Sequence, residues 1–298
     1  MTTYDIITQN QRKTYLLISF FLVFIIALGW FFSYLLRANW LLIAAVIFSS
    51  LMSIVSYWHS DKIVLALNRA KEIKKDDYPQ IYRTVENLCL AAGLPMPKIY
   101  LIEDSSANAF ATGRNPKHSA IALTTGLIKL LDKAELEGVI GHELSHIKHR
   151  DTLISTVIVI LVGIVALISD WFLRISFWFG RRRDENSGGN ILFFFLGVLA
   201  AFLAPIVATL IQLAISRKRE FLADAGSAML TRYPQGLIRA LEKISQQKIP
   251  LKHASTATAH LYIVNPFKGK QAKSWLKKLF LTHPPIEERI KALAKMSF

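Results

Sequence analysis

Gly141-His142-Glu143-Leu144-Ser145-His146 is the stretch on which the reading of this chain turns. A helix advances ~100° per residue, so positions four apart return to nearly one face, ~6 Å along the axis. Two imidazoles placed this way, His142 and His146, can reach one zinc ion with metal–nitrogen bonds of ~2.0–2.1 Å. Glu143 stands beside the first of them, where it can take the proton of a water acidified by the metal, for attack on a polarised peptide carbonyl. The pattern points to zinc-assisted hydrolysis of peptide bonds, with one Zn2+ per chain. Its bland alternative is a surface helix that carries the pattern by chance. Asp132, with Glu135 three residues later, has the form of a capping box, so the motif falls inside a helix expected to run through Arg150.

A catalytic zinc needs a third protein ligand and an open position. Arg219-Glu220-Phe221-Leu222-Ala223-Asp224 offers two carboxylates four residues apart on an expected helix. Glu220 is the candidate ligand. Asp224 is the candidate partner for a liganding imidazole, fixing its tautomer and raising its basicity. By spacing alone the pair reads equally as a solvated acidic face.

Four apolar blocks surround these motifs. Tyr15 to Leu36 and Trp40 to Trp58 carry no charge, and each is long enough to cross a ~30 Å hydrocarbon core as a helix. The short Arg37-Ala38-Asn39 break makes them a hairpin, with Trp40 and Trp58 suited to the interfaces. Leu153 to Leu173 and Ile191 to Ile215 form the second pair, joined through Arg181, Arg182, Arg183, Gly188 and Gly189. His146 and Glu220 can meet only on one side of a membrane, so this second pair either both crosses or both stays out. Crossing puts the three arginines on the translocated side, against the positive-inside bias; their length still favours four spans. Asp170 reads as an interfacial residue near the end of its block, or as an intramembrane acid.

The hydrophobic share is 52% and the net charge +15. Mean hydropathy is +0.34. The basic residues lie in amphipathic sequence with no nucleic-acid signature, so the expected partner is an anionic lipid surface and not DNA or RNA. The excess of lysine and arginine after Ser216 suits a cytoplasmic catalytic face. Cys89 is the only cysteine, which leaves no intramolecular disulfide. The N-terminal run is too long for the apolar core of a cleavable signal peptide. Lys62 to Leu90 has helical spacing, while Lys98–Glu103, Ala107–Thr112 and Ser119–Thr124 read as a small sheet.

Gly141 to Lys148 and Ser216 to Asp224 together resemble the two signatures of HtpX-type membrane zinc endopeptidases. Ser106 to Gly113, Thr282-His283-Pro284-Pro285 and the order of the apolar blocks are similar to that family as well. The resemblance implies that Glu220 is the third zinc ligand and that the segment Asn108, Ala109, Phe110, Ala111 lies beside the substrate cleft. Read from its residues alone, that segment is either an exposed edge strand able to pair with an extended substrate, or a core strand with Phe110 buried. His283 either assists the site or caps the helix after it. His149 departs from the family pattern, where asparagine is the commoner residue; it reads as a solvated helix end or an adventitious ligand.

The expected fold is mainly α, a zincin-like catalytic core with a small β-sheet plus about four transmembrane helices. Residues 1–58 form the anchor hairpin, 59–152 and 216–298 the two parts of the catalytic domain, and 153–215 the second membrane pair. The resemblance implies quality-control cleavage of damaged or misfolded membrane proteins at a bacterial plasma membrane, with the catalytic domain facing the cytoplasm. Processing of prenylated CaaX proteins and a non-catalytic scaffold with a structural metal are the rivals, and a channel or transporter the third. The sequence leaves cleavage preference and oligomeric state open.

Overall fold

The computed structural model describes residues 3–180, 217–247, 249–252, 258–264, 266 and 284–296. Side chains at 3–4, 35–36, 166 and 168–180 fall outside that description. The expectations for the Arg181 loop, for Ile191 to Ile215 and for His283 concern positions that also lie outside the described residues.

Two long helices open the chain, α1 (Thr3–Leu36) and α2 (Trp40–Leu67). They fold back on each other across a turn in which Arg37 takes the left-handed conformation, φ 50°. At Gly29 a Cβ would sit 2.2 Å from the Ala45 Cβ, so the glycine lets the two backbones close on each other. Both helices are long and apolar enough to cross a membrane. A core helix of a water-soluble protein would be mostly covered; here Leu16, Val23, Ile47 and Ile54 are each more than half exposed. That exposure makes sense facing lipid. The second helix continues beyond Trp58 to Leu67, past the expected end of the anchor.

Past the anchor, the expected helix over Lys62–Leu90 is broken. A two-residue strand, β1 (Lys71–Glu72), comes after α2, and only Pro79–Ala92 forms α3, closed by Gly93 at φ 66°. Strands β2 (Lys98–Ile102), β3 (Ala109–Asn115) and β4 (His118–Thr124) complete a sheet in the order β1-β2-β4-β3. Here β2 and β4 run parallel, while the other two pairs are antiparallel. After the short α4 (Thr125–Leu130) comes α5 (Lys133–Lys148), which bears the histidine motif. Its capping box forms as expected: Asp132 accepts from the Glu135 N–H, and the Glu135 carboxylate accepts from the Asp132 N–H, both at 2.9 Å.

Arg150, at φ 56°, turns the chain from α5 into α6 (Asp151–Gly180). The remaining described α-helices are α7 (Arg217–Thr231), α8 (Pro234–Gln246) and α9 (Ile286–Ala294). One apolar core joins α3, the sheet, α5 and α8 through Val85, Ile121, Leu144 and Leu241. A second joins α1 to α6 through Leu17, Phe21, Leu153 and Val157. The sheet thus backs the histidine helix on one side, and α7 covers it on the other.

Candidate metal centre

Close approach of α5 and α7 is what assembles the site. A Cβ on Gly226 would lie 2.2 Å from Ser145 Oγ, and one on Gly141 3.0 Å from Ser227 Oγ. Ser227 Oγ donates to the Gly138 carbonyl at 2.6 Å and locks this contact. With the helices this near, Glu220 and Asp224 on one face of α7 reach the imidazoles of α5.

His142 Nε2 and His146 Nε2 are 3.1 Å apart, with the rings nearly perpendicular at 89°. Glu220 places Oε2 3.8 Å from the first and Oε1 3.6 Å from the second. The opposite nitrogens have carboxylate partners: His142 Nδ1 lies 2.9 Å from Asp224 Oδ1, and His146 Nδ1 lies 3.0 Å from Asp151 Oδ2. A carboxylate can only accept here, so each Nδ1 carries a hydrogen, and in a neutral ring each Nε2 is then left as a bare lone pair. Two lone pairs and a carboxylate then face one point, an arrangement that repels itself unless a proton or a metal ion sits among them. Nitrogens bound to one tetrahedral zinc are roughly 3.3 Å apart, close to what these atoms show. The donor set therefore fits a divalent metal.

Charge around the site agrees. Glu143, Glu220, Asp224 and Asp151 are buried beside Arg289 and Arg219, which leaves the carboxylates in excess of the guanidiniums. Burial depresses the His142 imidazole to about 4, against the opposing effect of the hydrogen bond it donates to Asp224. Burial also pulls down on His146, but Asp151 and the charges of Glu220 and Glu143 push it up to about 9. Glu143 is raised to about 7, first by desolvation and then by Glu220, while His146 and the Ala111 N–H act against the rise.

Two contributors escaped the sequence reading. Asp151 comes five residues after His146, and its only signal was an acidic residue opening an apolar helix. Arg289 is fully buried and binds Asp224 through Nε at 2.9 Å and Nη2 at 2.6 Å, while Nη1 donates to the Ile263 carbonyl at 3.1 Å. In sequence it comes after Glu287 and Glu288 and looks like any solvated helix face.

Other expectations need correcting. His149 is buried at 7% exposure, with Nδ1 3.4 Å from Ser145 Oγ, so it is not a solvated helix end. Asn108 and the first residues of strand β3, Ala109 to Ala111, border the sheet, yet all four are buried. Three outward main-chain groups of that strand already have partners: the Ala109 carbonyl accepts from Ile263 N–H, the Ala111 N–H reaches Glu143, and the Gly113 carbonyl accepts from Thr152. Asn108 itself clasps Val264, its Nδ2 donating to the Val264 carbonyl at 2.8 Å. Phe110 packs edge-on against Tyr262, with ring centroids 5.2 Å apart. The strand is an edge by sheet order and a core strand by burial.

The model of the family described as Peptidase family M48 matches residues 75–297. A "Protease HtpX homolog" of Thermoanaerobacter pseudethanolicus is 44% identical over 303 residues, covering 99% of this chain and 98% of that protein. Another, from Syntrophobacter fumaroxidans, is 48% identical over 260 residues, covering 85% and 88%. A crystal structure of S. mikatae Ste24p aligns with 90% of this chain and 62% of its own at 20% identity and a TM-score of 0.49.

Proposed function

The chain belongs to peptidase family M48, and on that premise we propose that His142, His146 and Glu220 hold one zinc ion, with Glu143 the general base of endoproteolysis. The observation that carries this reading is the pair of facing Nε2 atoms, 3.1 Å apart, with a carboxylate beside them. Zinc, when bound, polarises a peptide carbonyl and acidifies water. Glu143 takes the proton from that water and delivers it to the departing amine. Glu143 is buried beside the proposed ligands, where its carboxylate can accept that proton and then give it up. The Ala111 N–H aims it from strand β3. Asp224, gripped by Arg289, and Asp151 fix the two imidazoles in the tautomer a metal requires.

The substrates in this reading are damaged or misfolded membrane proteins and unfolded polypeptide near the bilayer, cleaved on the cytoplasmic side of a bacterial plasma membrane. The exposed apolar hairpin and the relatives named protease HtpX homolog support it over processing of prenylated CaaX proteins. A buried base beside the metal ligands argues against a purely structural ion, which needs none. In this reading His283 assists the site, and Asn108 to Ala111 line the side of the cleft. Substrate pairing there requires the Ile263 contact to part.

Purified full-length protein should cleave unfolded casein, lose that activity to a chelator and regain it with zinc. Glu143→Ala should be inert. Equal cleavage by Glu143→Ala would reject the mechanism.

A further inference from the structure

Asn10 lies on α1, five residues before Tyr15, and is 2% exposed. A buried carboxamide on a helix bound for an apolar span needs polar partners. Its Nδ2 is 3.0 Å from the His149 carbonyl and 2.7 Å from Asp151 Oδ1. Both partners accept, so the atom facing them is the nitrogen, and each of its hydrogens is used. The other oxygen of the same carboxylate, Oδ2, receives the Nδ1 hydrogen of His146 at 3.0 Å. One aspartate thus joins an amide of the first membrane helix to an imidazole of the metal centre.

The place of this contact matters. It spans the junction where α5 ends, Arg150 reverses the chain and α6 begins. Asn10 holds the carbonyl of His149, the residue that caps one helix, and the first side chain of the next. Arg219 Nη1 is 3.8 Å from Asp151 Oδ1, near enough to add charge but beyond hydrogen-bond range. Farther along α1, Leu17, Phe21 and Ile25 pack into the α6 core, so any shift of the anchor helix carries Asn10 with it. Tyr15 stacks on Tyr57 at 6.3 Å, and the Arg114 guanidinium sits 4.4 Å over the neighbouring Trp58 ring. Such aromatic and cationic groups mark a membrane boundary. Asn10 falls about 7 Å to the soluble side of Tyr15.

We propose that Asn10 is a positioning residue for the metal centre: it fixes the Asp151 carboxylate that sets the tautomer and aim of His146, so that the N-terminal anchor and the site act as one mechanical unit. This rests on the reading of His146 as a metal ligand. A displaced anchor weakens metal binding without any contact with substrate.

The test is a double-mutant cycle in the full-length protein, combining Asn10→Leu, which keeps bulk and removes the donor, with Asp151→Asn. Zinc affinity is read by competition with a chromophoric chelator, ligand geometry by visible absorption of the cobalt-substituted protein, and turnover on unfolded casein. Asp151→Asn should weaken zinc by about 10–100-fold, and Asn10→Leu by roughly 3–10-fold. The leucine variant should also move the cobalt bands and lower kcat with little change in KM. In the Asp151→Asn background it should add less than about 2-fold, because its effect passes through that carboxylate. Wild-type zinc affinity and cobalt bands in Asn10→Leu would overturn the proposal, as would equal losses in both backgrounds. Should the leucine variant fail to accumulate, Asn10→Ser is read on the same cycle by the same criterion. A wild type that takes up no zinc rejects the metallopeptidase reading itself, so the two failures are distinguishable.

Discussion

Arg289 gives up all contact with water to bind Asp224 with two nitrogens and the Ile263 carbonyl with a third. Asp224 in turn holds His142, so the guanidinium steadies the imidazole of a proposed zinc ligand through that carboxylate. Breaking a buried ion pair strands the remaining charge. Arg289→Met should therefore cost about 3–5 kcal/mol, read as a lower urea midpoint, and should reduce bound zinc; an unchanged midpoint would mean the pair contributes little. Cys89 offers a simpler check. It is 3% exposed, and burial pushes its thiol up to about 11. Only the thiolate reacts, so the native protein should resist maleimide at pH 8 and react once unfolded; fast labelling of the folded protein would contradict the packing of α3. At this scale the sequence was legible where function imposes a spacing, as with His142, Glu143 and His146. It was silent where the fold alone brings residues together, as with Arg289 and Asn10.

The decisive element contact is α5 against α7. Gly226→Val would drive a side chain into Ser145 and lever Glu220 away from the histidines. Overpacking of this kind costs about 1–3 kcal/mol, and loss of zinc should exceed loss of stability. A variant that keeps full metal content would show that α7 can yield without moving its carboxylate. Asp132→Ala is the contrasting case: it removes the capping box, should cost roughly 1 kcal/mol of stability, and should leave bound zinc unchanged. Three of the four strands, the cap and both anchor helices could be read from residue pattern, because period and capping are local. The two-residue β1 and the extension of α2 to Leu67 could not, because each depends on pairing or packing with distant chain. Burial of the Asn108–Ala111 strand likewise depends on Tyr262 and Ile263, more than 150 residues away.

At the scale of the whole molecule, the proposed orientation puts the hairpin turn and the catalytic domain on opposite sides of the membrane. With Cys89 buried, single cysteines can be introduced on a quiet background. An impermeant maleimide applied to intact cells should label Asn39→Cys in the hairpin turn and leave Lys129→Cys on the catalytic domain untouched. The reverse pattern would invert the orientation. That the chain is a membrane protein was plain from its uncharged blocks. The exposed apolar faces of α1 and α2 now give that reading a structural basis.

Elemental analysis of the purified full-length protein, wild type beside Glu143→Ala and Glu220→Ala, most directly tests whether a zinc ion sits where the two imidazoles converge. The wild type and Glu143→Ala should each carry close to one zinc per chain, and Glu220→Ala much less. A wild type without zinc, or a Glu220→Ala protein that retains it in full, would contradict the proposed metal centre.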